Sequence, residues 1–154
     1  MRRFYFAALC LALTLNASTQ HIFLEDVFSN VTVSPKQIYG VNATILAFPV
    51  TGQAIPQPLI MDVYQPEGDN APLRPLVIFW HTGNFLPFPH NENIGGSLRD
   101  SAAVEICKRL ARSGYVAASA DYRLGWNPVA VSKDERVLTL INAAYRGVQD
   151  ANTC

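Results

Sequence analysis

Pro75-Leu76-Val77-Ile78-Phe79-Trp80-His81-Thr82-Gly83-Asn84-Phe85 is the stretch that decides the fold. Residues 76–80 are an unbroken apolar run with turn-forming residues on both sides. Such a run reads as a strand buried on both faces, as in the interior of a parallel sheet. Polar groups begin abruptly at His81, at the strand's C-terminal end. Open α/β sheets place their chemistry along that edge.

Downstream, residues 81–99 form a loop punctuated by Gly83, Pro87, Pro89, Gly95 and Gly96. Helical spacing follows over 101–113. Ala103, Ile106, Cys107 and Leu110 fall on one face, and Glu105, Lys108, Arg109 and Arg112 on the other. Asp100 or Ser101 can cap its start, and Gly114 can close its end. Residues 115–120 read as a second buried strand, giving a right-handed βαβ unit with a parallel strand pair. After a Gly/Pro/Asn loop, residues 136–151 are helical. Their apolar stripe is Val137, Leu140, Ile141, Ala144, Tyr145 and Val148, and Arg146 and Asp150 are spaced to pair across one turn. Upstream, residues 66–75 read as a surface loop and 59–64 as a strand with Leu59, Met61 and Val63 on one face and Asp62 on the other. Residues 49–58 read as a loop, and 36–48 as a strand broken near Gly40. The order is β-β-β-α-β-α, an α/β chain of one domain.

The N-terminus follows a different logic. Arg2 and Arg3 precede an uncharged run over 4–15 that is apolar apart from Thr14, and small residues follow at Ala17, Ser18 and Thr19. This is the pattern of a signal peptide over 1–19, leaving 20–154 as the mature domain, secreted or periplasmic. The run is too short for a membrane span. Removal of 1–19 takes Cys10 with it and leaves Cys107 and Cys154. No Cys/His cluster suggests a metal, and no cofactor is expected. Lys+Arg and Asp+Glu are both 12, so the formal net charge is zero, and no basic patch marks a nucleic-acid partner. Asn30-Val31-Thr32 and Asn42-Ala43-Thr44 match the glycosylation sequon.

Four places, read in order, carry a resemblance to a known family. They are Leu59-Ile60-Met61-Asp62-Val63-Tyr64-Gln65-Pro66; residues 75–81; Gly114-Tyr115-Val116 running on to Asp121-Tyr122-Arg123-Leu124; and the segment 144–151, Ala-Tyr-Arg-Gly-Val-Gln-Asp-Ala. Together they resemble the N-terminal half of the α/β-hydrolase fold in its carboxylesterase and lipase branch. The resemblance implies a mostly parallel sheet flanked by helices, here lacking the C-terminal strands. It implies a serine-type hydrolysis of a small-molecule ester. It also implies that His81-Thr82-Gly83-Asn84-Phe85 is the oxyanion loop, with Gly83 and Asn84 at the donor positions and His81 and Thr82 supporting the loop. The family's loop is usually His-Gly-Gly followed by a small residue. Thr82 and Asn84 depart from that form.

The nucleophile of such an enzyme sits in Gly-x-Ser-x-Gly between a strand and a helix. Gly95-Gly96-Ser97-Leu98-Arg99 lacks the final glycine and has no strand before it, so it is rejected. Ser113 and Ser119 read as structural. His81 and His90 lie upstream of any nucleophile and are not its base. Asp121 and Arg123, a tempting charged pair, read as loop anchors. The expectation is an N-terminal portion of a secreted ester hydrolase, inactive alone. The alternative is a non-catalytic secreted binding protein with a partial hydrolase fold. A nucleotide-binding domain is disfavoured by the absence of both phosphate-binding glycine motifs.

Overall fold

The computed structural model describes residues 22–87 and 96–154. The segment read as a signal peptide, His90 and Gly95 lie outside them. Element order is β1 (Val31–Thr44), α1 (Phe48–Thr51), β2 (Ile55–Pro66), β3 (Leu76–Trp80), α2 (Ser101–Arg112), β4 (Val116–Ala120) and α3 (Lys133–Ala151). The strands form a four-stranded sheet in the order β1-β2-β4-β3.

The β3–β4 pair is parallel, from Leu76↔Val116 to Trp80↔Ala120, as the apolar runs predict. The other two pairings, β1–β2 and β2–β4, are antiparallel. The described sheet is therefore mixed, not mostly parallel. For β1–β2 the reason is connection length: they are joined by ten residues around α1, enough for a reversal but short for a crossover. The expected loop over 49–58 is partly regular. Its first part closes α1, where Gly52 takes φ 69°, and its last part is already β2. Pro56 and Pro58 are tolerated there because β4 reaches only Met61 to Tyr64 of β2. β1 starts earlier than read, at Val31, and its register breaks between Ser34 and Gln37 and between Ile38 and Gly40. At the first break Lys36 adopts φ 55° and its N–H donates to the buried Asp62 carboxylate at 2.8 Å.

β4 is the centre of the molecule. Ala117, Ala118, Ser119 and Ala120 are fully buried. Their small side chains let α2 approach, and Cys107, Ala111, Ala117 and Tyr64 form the core cluster, with Val104, Leu110 and Phe79 against it. The buried stripe of α2 is Ala103, Cys107 and Ala111. Ile106, expected in the stripe, is exposed, because it lies about 100° from Cys107 on a 3.6-residue helix. The helix ends in a Schellman motif: Tyr115 N–H reaches Leu110 O at 3.0 Å and Gly114 N–H reaches Ala111 O at 2.9 Å, with Gly114 at φ 98°. Cys107 is buried, Cys154 is exposed, and both are free.

Two expectations about burial are overturned. β3 is half-buried, with Leu76 58% exposed. Its apolar run reads as an interior strand, yet β3 stands at the end of the described sheet. On α3 the buried residues are Ala143, Gly147 and Asp150. The expected stripe is on the outside: Val137, Leu140, Ile141, Tyr145 and Val148 are all exposed. A buried ion pair sets this rotation. Asp150 faces Arg123 at 2.8 Å, receives the Arg123 backbone N–H at 2.8 Å, and accepts from Asn42 Nδ2 at 2.6 Å. The expected Arg146–Asp150 pair does not form. Arg146 Nε and Nη2 have no hydrogen-bond partner among the described residues.

Candidate functional site

The C-terminal end of β3 delivers His81 into a buried position, with its side chain fully covered. Three neighbours fix it. Its Nδ1 lies 2.7 Å from Thr82 O. Its Nε2 lies 3.0 Å from Asp121 Oδ1. Its ring stacks on Tyr122 at 4.4 Å and 19°, and the Tyr122 hydroxyl donates to His81 O at 2.9 Å. Asp121 and Tyr122 follow β4 directly, so the parallel β3–β4 pairing is what brings His81 and Asp121 together. Burial and then the Asp121 charge push the Tyr122 phenol up to about 12. For the imidazole, burial on its own acts downward. The Asp121 hydrogen bond, the Thr82 carbonyl and the charges of Asp121 and Asp100 overcome it and leave His81 above its ordinary value.

Beyond His81 the chain turns through three consecutive residues of positive φ: Gly83 at 119°, Asn84 at 55° and Phe85 at 60°. Thr82 is not among them, so its β-branched side chain carries no left-handed strain. Asn84 is a residue type that tolerates this region. Phe85 is not, and such a conformation costs on the order of 1–3 kcal/mol. The surroundings hold it there. Phe85 O accepts from the N–H groups of both Gly125 and Trp126 at 3.0 Å, and its ring packs edge-on against Tyr122 at 5.6 Å. Gly147 of α3 admits that ring, since a Cβ there would meet Phe85 Cε1 at 3.1 Å. A glycine inside a helical pattern is a visible sequence signal for such close packing, and Gly147 carries that signal, although its partner Phe85 is not readable from spacing.

Leu86 N–H closes the turn onto Gly83 O at 3.0 Å. Among the described residues, the N–H groups of Gly83, Asn84 and Phe85 find no acceptor. Thr82 and Asn84 are exposed and Gly83 is half-buried. Alongside lies an apolar cavity of about 280 Å³ lined by Trp80, His81, Phe85, Tyr122, Ala144 and Val148, among others. A turn of this kind can present backbone donors to an anionic oxygen.

The remaining serines and aspartates of interest have structural partners. Ser119 Oγ donates to Leu98 O at 2.6 Å in the interior. Ser113 Oγ donates to Arg109 O. Ser97 Oγ accepts from Arg99 N–H. Among the described residues, none of these hydroxyls meets a histidine. Asp62 pairs with Arg99 at 2.7 Å, and Asp121 and Arg123 have separate partners, His81 and Asp150. Among the described residues there is no cluster of three or more potential metal ligands, and no helix is long and apolar enough to cross a membrane.

No protein-family model and no curated protein matches the sequence. Among solved structures, the chain is similar to bacterial esterases. One is brefeldin A esterase, a bacterial homologue of human hormone-sensitive lipase, at 18% identity and a TM-score of 0.38, covering 83% of this chain and 28% of that one. Another is esterase B from Lactobacillus rhamnosis, at 19% identity and a TM-score of 0.39, covering 97% of this chain and 39% of that one. The same esterase inhibited by a tributyrin phosphonate aligns over 97% of this chain and 40% of that one, at 18% identity and a TM-score of 0.38. The chain spans less than half the length of each.

Proposed function

We propose that residues 81–85 are the oxyanion-stabilising loop of a carboxylic-ester hydrolase, and that this chain supplies the N-terminal portion of that enzyme. The observation that carries the reading is the left-handed turn at the end of β3, whose Gly83 and Asn84 N–H groups have no acceptor among the described residues. In ester cleavage a nucleophilic oxygen adds to the carbonyl carbon, and the carbonyl oxygen takes the negative charge. The alcohol then leaves with a proton, and water releases the acid. Preorganised N–H donors at the charged oxygen are worth roughly 3 kcal/mol each. In this reading Gly83 and Asn84 donate, His81 braces the loop, and the apolar cavity beside it accepts part of a small ester.

The 154 residues contain no Gly-x-Ser-x-Gly; in this reading the nucleophile is supplied from outside them, and the chain alone shows no turnover. Residues 1–19 direct export, and N-terminal sequencing of the exported product would then begin near Ser18 or Gln20. The decisive experiment is a graft. Residues 81–85 replace the His-Gly-Gly loop of an active serine esterase, and kcat/KM is measured on a p-nitrophenyl ester. Activity within about tenfold of the parent supports the assignment. A larger loss, reaching the roughly hundredfold or more that deleting an oxyanion donor causes, overturns it.

A further inference from the structure

The two ring nitrogens of His81 face two oxygens that can only accept. A neutral imidazole offers one donor and one acceptor. Thr82 O, 2.7 Å from Nδ1, is a carbonyl. Asp121 Oδ1, 3.0 Å from Nε2, belongs to a carboxylate that already accepts the Tyr122 N–H at 2.8 Å. A neutral ring would satisfy one of these contacts and turn a lone pair on the other oxygen, in a position with no access to water. Both contacts are satisfied together only by the doubly protonated ring.

The Thr82 contact has a geometric consequence. A peptide unit is planar and trans, so its N–H points opposite to its C=O. The carbonyl of Thr82 and the N–H of Gly83 belong to the same unit. Pulling Thr82 O inward onto His81 turns the Gly83 N–H outward. We propose that His81 is an imidazolium latch that orients the Thr82–Gly83 peptide, so that the direction of the Gly83 donor is set by the protonation of His81. The latch deepens the oxyanion reading, because it governs one of the two donors, but its chemistry is readable without any ester.

The groups around the ring agree with a charged state. After β4, Asp121 meets it directly. At the start of α2, Asp100 adds charge of the same helpful sign. Tyr122, stacked on the ring, stays a neutral phenol. From β1, Tyr39 donates to the Asp121 carbonyl and adds no charge. From α3 the cavity beside the ring receives only Ala144, Gly147, Val148 and Ala151. When the ring loses a proton, the charge-assisted bond to Asp121 keeps Nε2–H, and Nδ1 is the nitrogen left bare. Its lone pair then repels Thr82 O, and the peptide is free to turn.

The sign follows. The raised folded-state value means that the latch is held in most molecules at the ordinary imidazole pKa of 6.5 and is released as pH rises through the higher folded value. Nitrogen-15 spectra of the full 154-residue chain test this across pH, with His81 assigned by His81→Asn. At pH 6.5, where an ordinary imidazole is half protonated, both His81 nitrogens should be protonated in most molecules. The Gly83 amide should titrate with the same midpoint as the ring. In Asp121→Asn the midpoint should fall below that of the wild type, since burial is then unopposed by a carboxylate at Nε2. One bare nitrogen in most molecules at pH 6.5, or a Gly83 amide that ignores the ring's titration, overturns the proposal. The wild-type titration decides it even if the variant does not fold. A failed graft with an intact titration would sink the esterase reading alone.

Discussion

Asp150 shows what a single side chain contributes here. Its carboxylate is fully buried and holds Arg123 and Asn42 at once. Asp150→Ala leaves the nearly buried Arg123 guanidinium without its counter-charge, which costs about 3–5 kcal/mol. Urea denaturation should show that loss as a lower midpoint, and a change below about 1 kcal/mol would mean that solvent reaches Arg123. The loop offers a sharper residue-scale contrast. Thr82 is outside the left-handed region and Asn84 inside it. Thr82→Val should therefore change stability by no more than about 0.5 kcal/mol, while Asn84→Val should cost about 1–2 kcal/mol. Equal effects at the two positions would contradict the turn geometry. The ion pair was illegible in the sequence for a plain reason. Spacing rules pair Asp150 with Arg146, one turn away, whereas the true partner is brought in from 27 residues upstream by tertiary structure.

At the scale of elements, periodicity located α3 well but chose the wrong face. The apolar stripe Val137, Leu140, Ile141, Tyr145 and Val148 is the one a hydrophobic pattern selects, and it is exposed. The buried face is small and charged, because Gly147 must admit Phe85 and Asp150 must reach Arg123. Ile141→Glu should accordingly shift stability by no more than about 0.5 kcal/mol. A loss of several kcal/mol, read by thermal unfolding, would place Ile141 in a core. The β-strands divide in the same way. Residues 76–80 and 115–120 were legible as strands, and their parallel pairing followed from the helix between them. Their order in the sheet was not legible, since apolarity reports that a strand can be buried and says nothing about which strand lies at the end.

The whole molecule carries opposed ionic contacts that should shape its stability against pH. Asp62 is held below its ordinary value: burial acts upward, and Arg99 and the Lys36 N–H outweigh it. Its contribution is present above the unfolded value near 3.8 and is lost as pH falls through the folded one. His81 contributes in the opposite sense, with full effect below 6.5 and loss on the alkaline side. Stability should therefore peak between these limits, with the alkaline decline removed by His81→Asn; denaturation midpoints at several pH values check it. Finally, Cys107 sits in the core cluster with its thiol pushed up to about 11 by burial, whereas Cys154 lies open at the surface. A thiol-specific reagent thus meets two different clocks in the described chain. Cys154 is modified without any opening of the fold and marks the start of timing. Cys107 is modified only when α2 lifts from β4, so where reclosing outpaces the reagent its labelling rate measures the free energy of that opening.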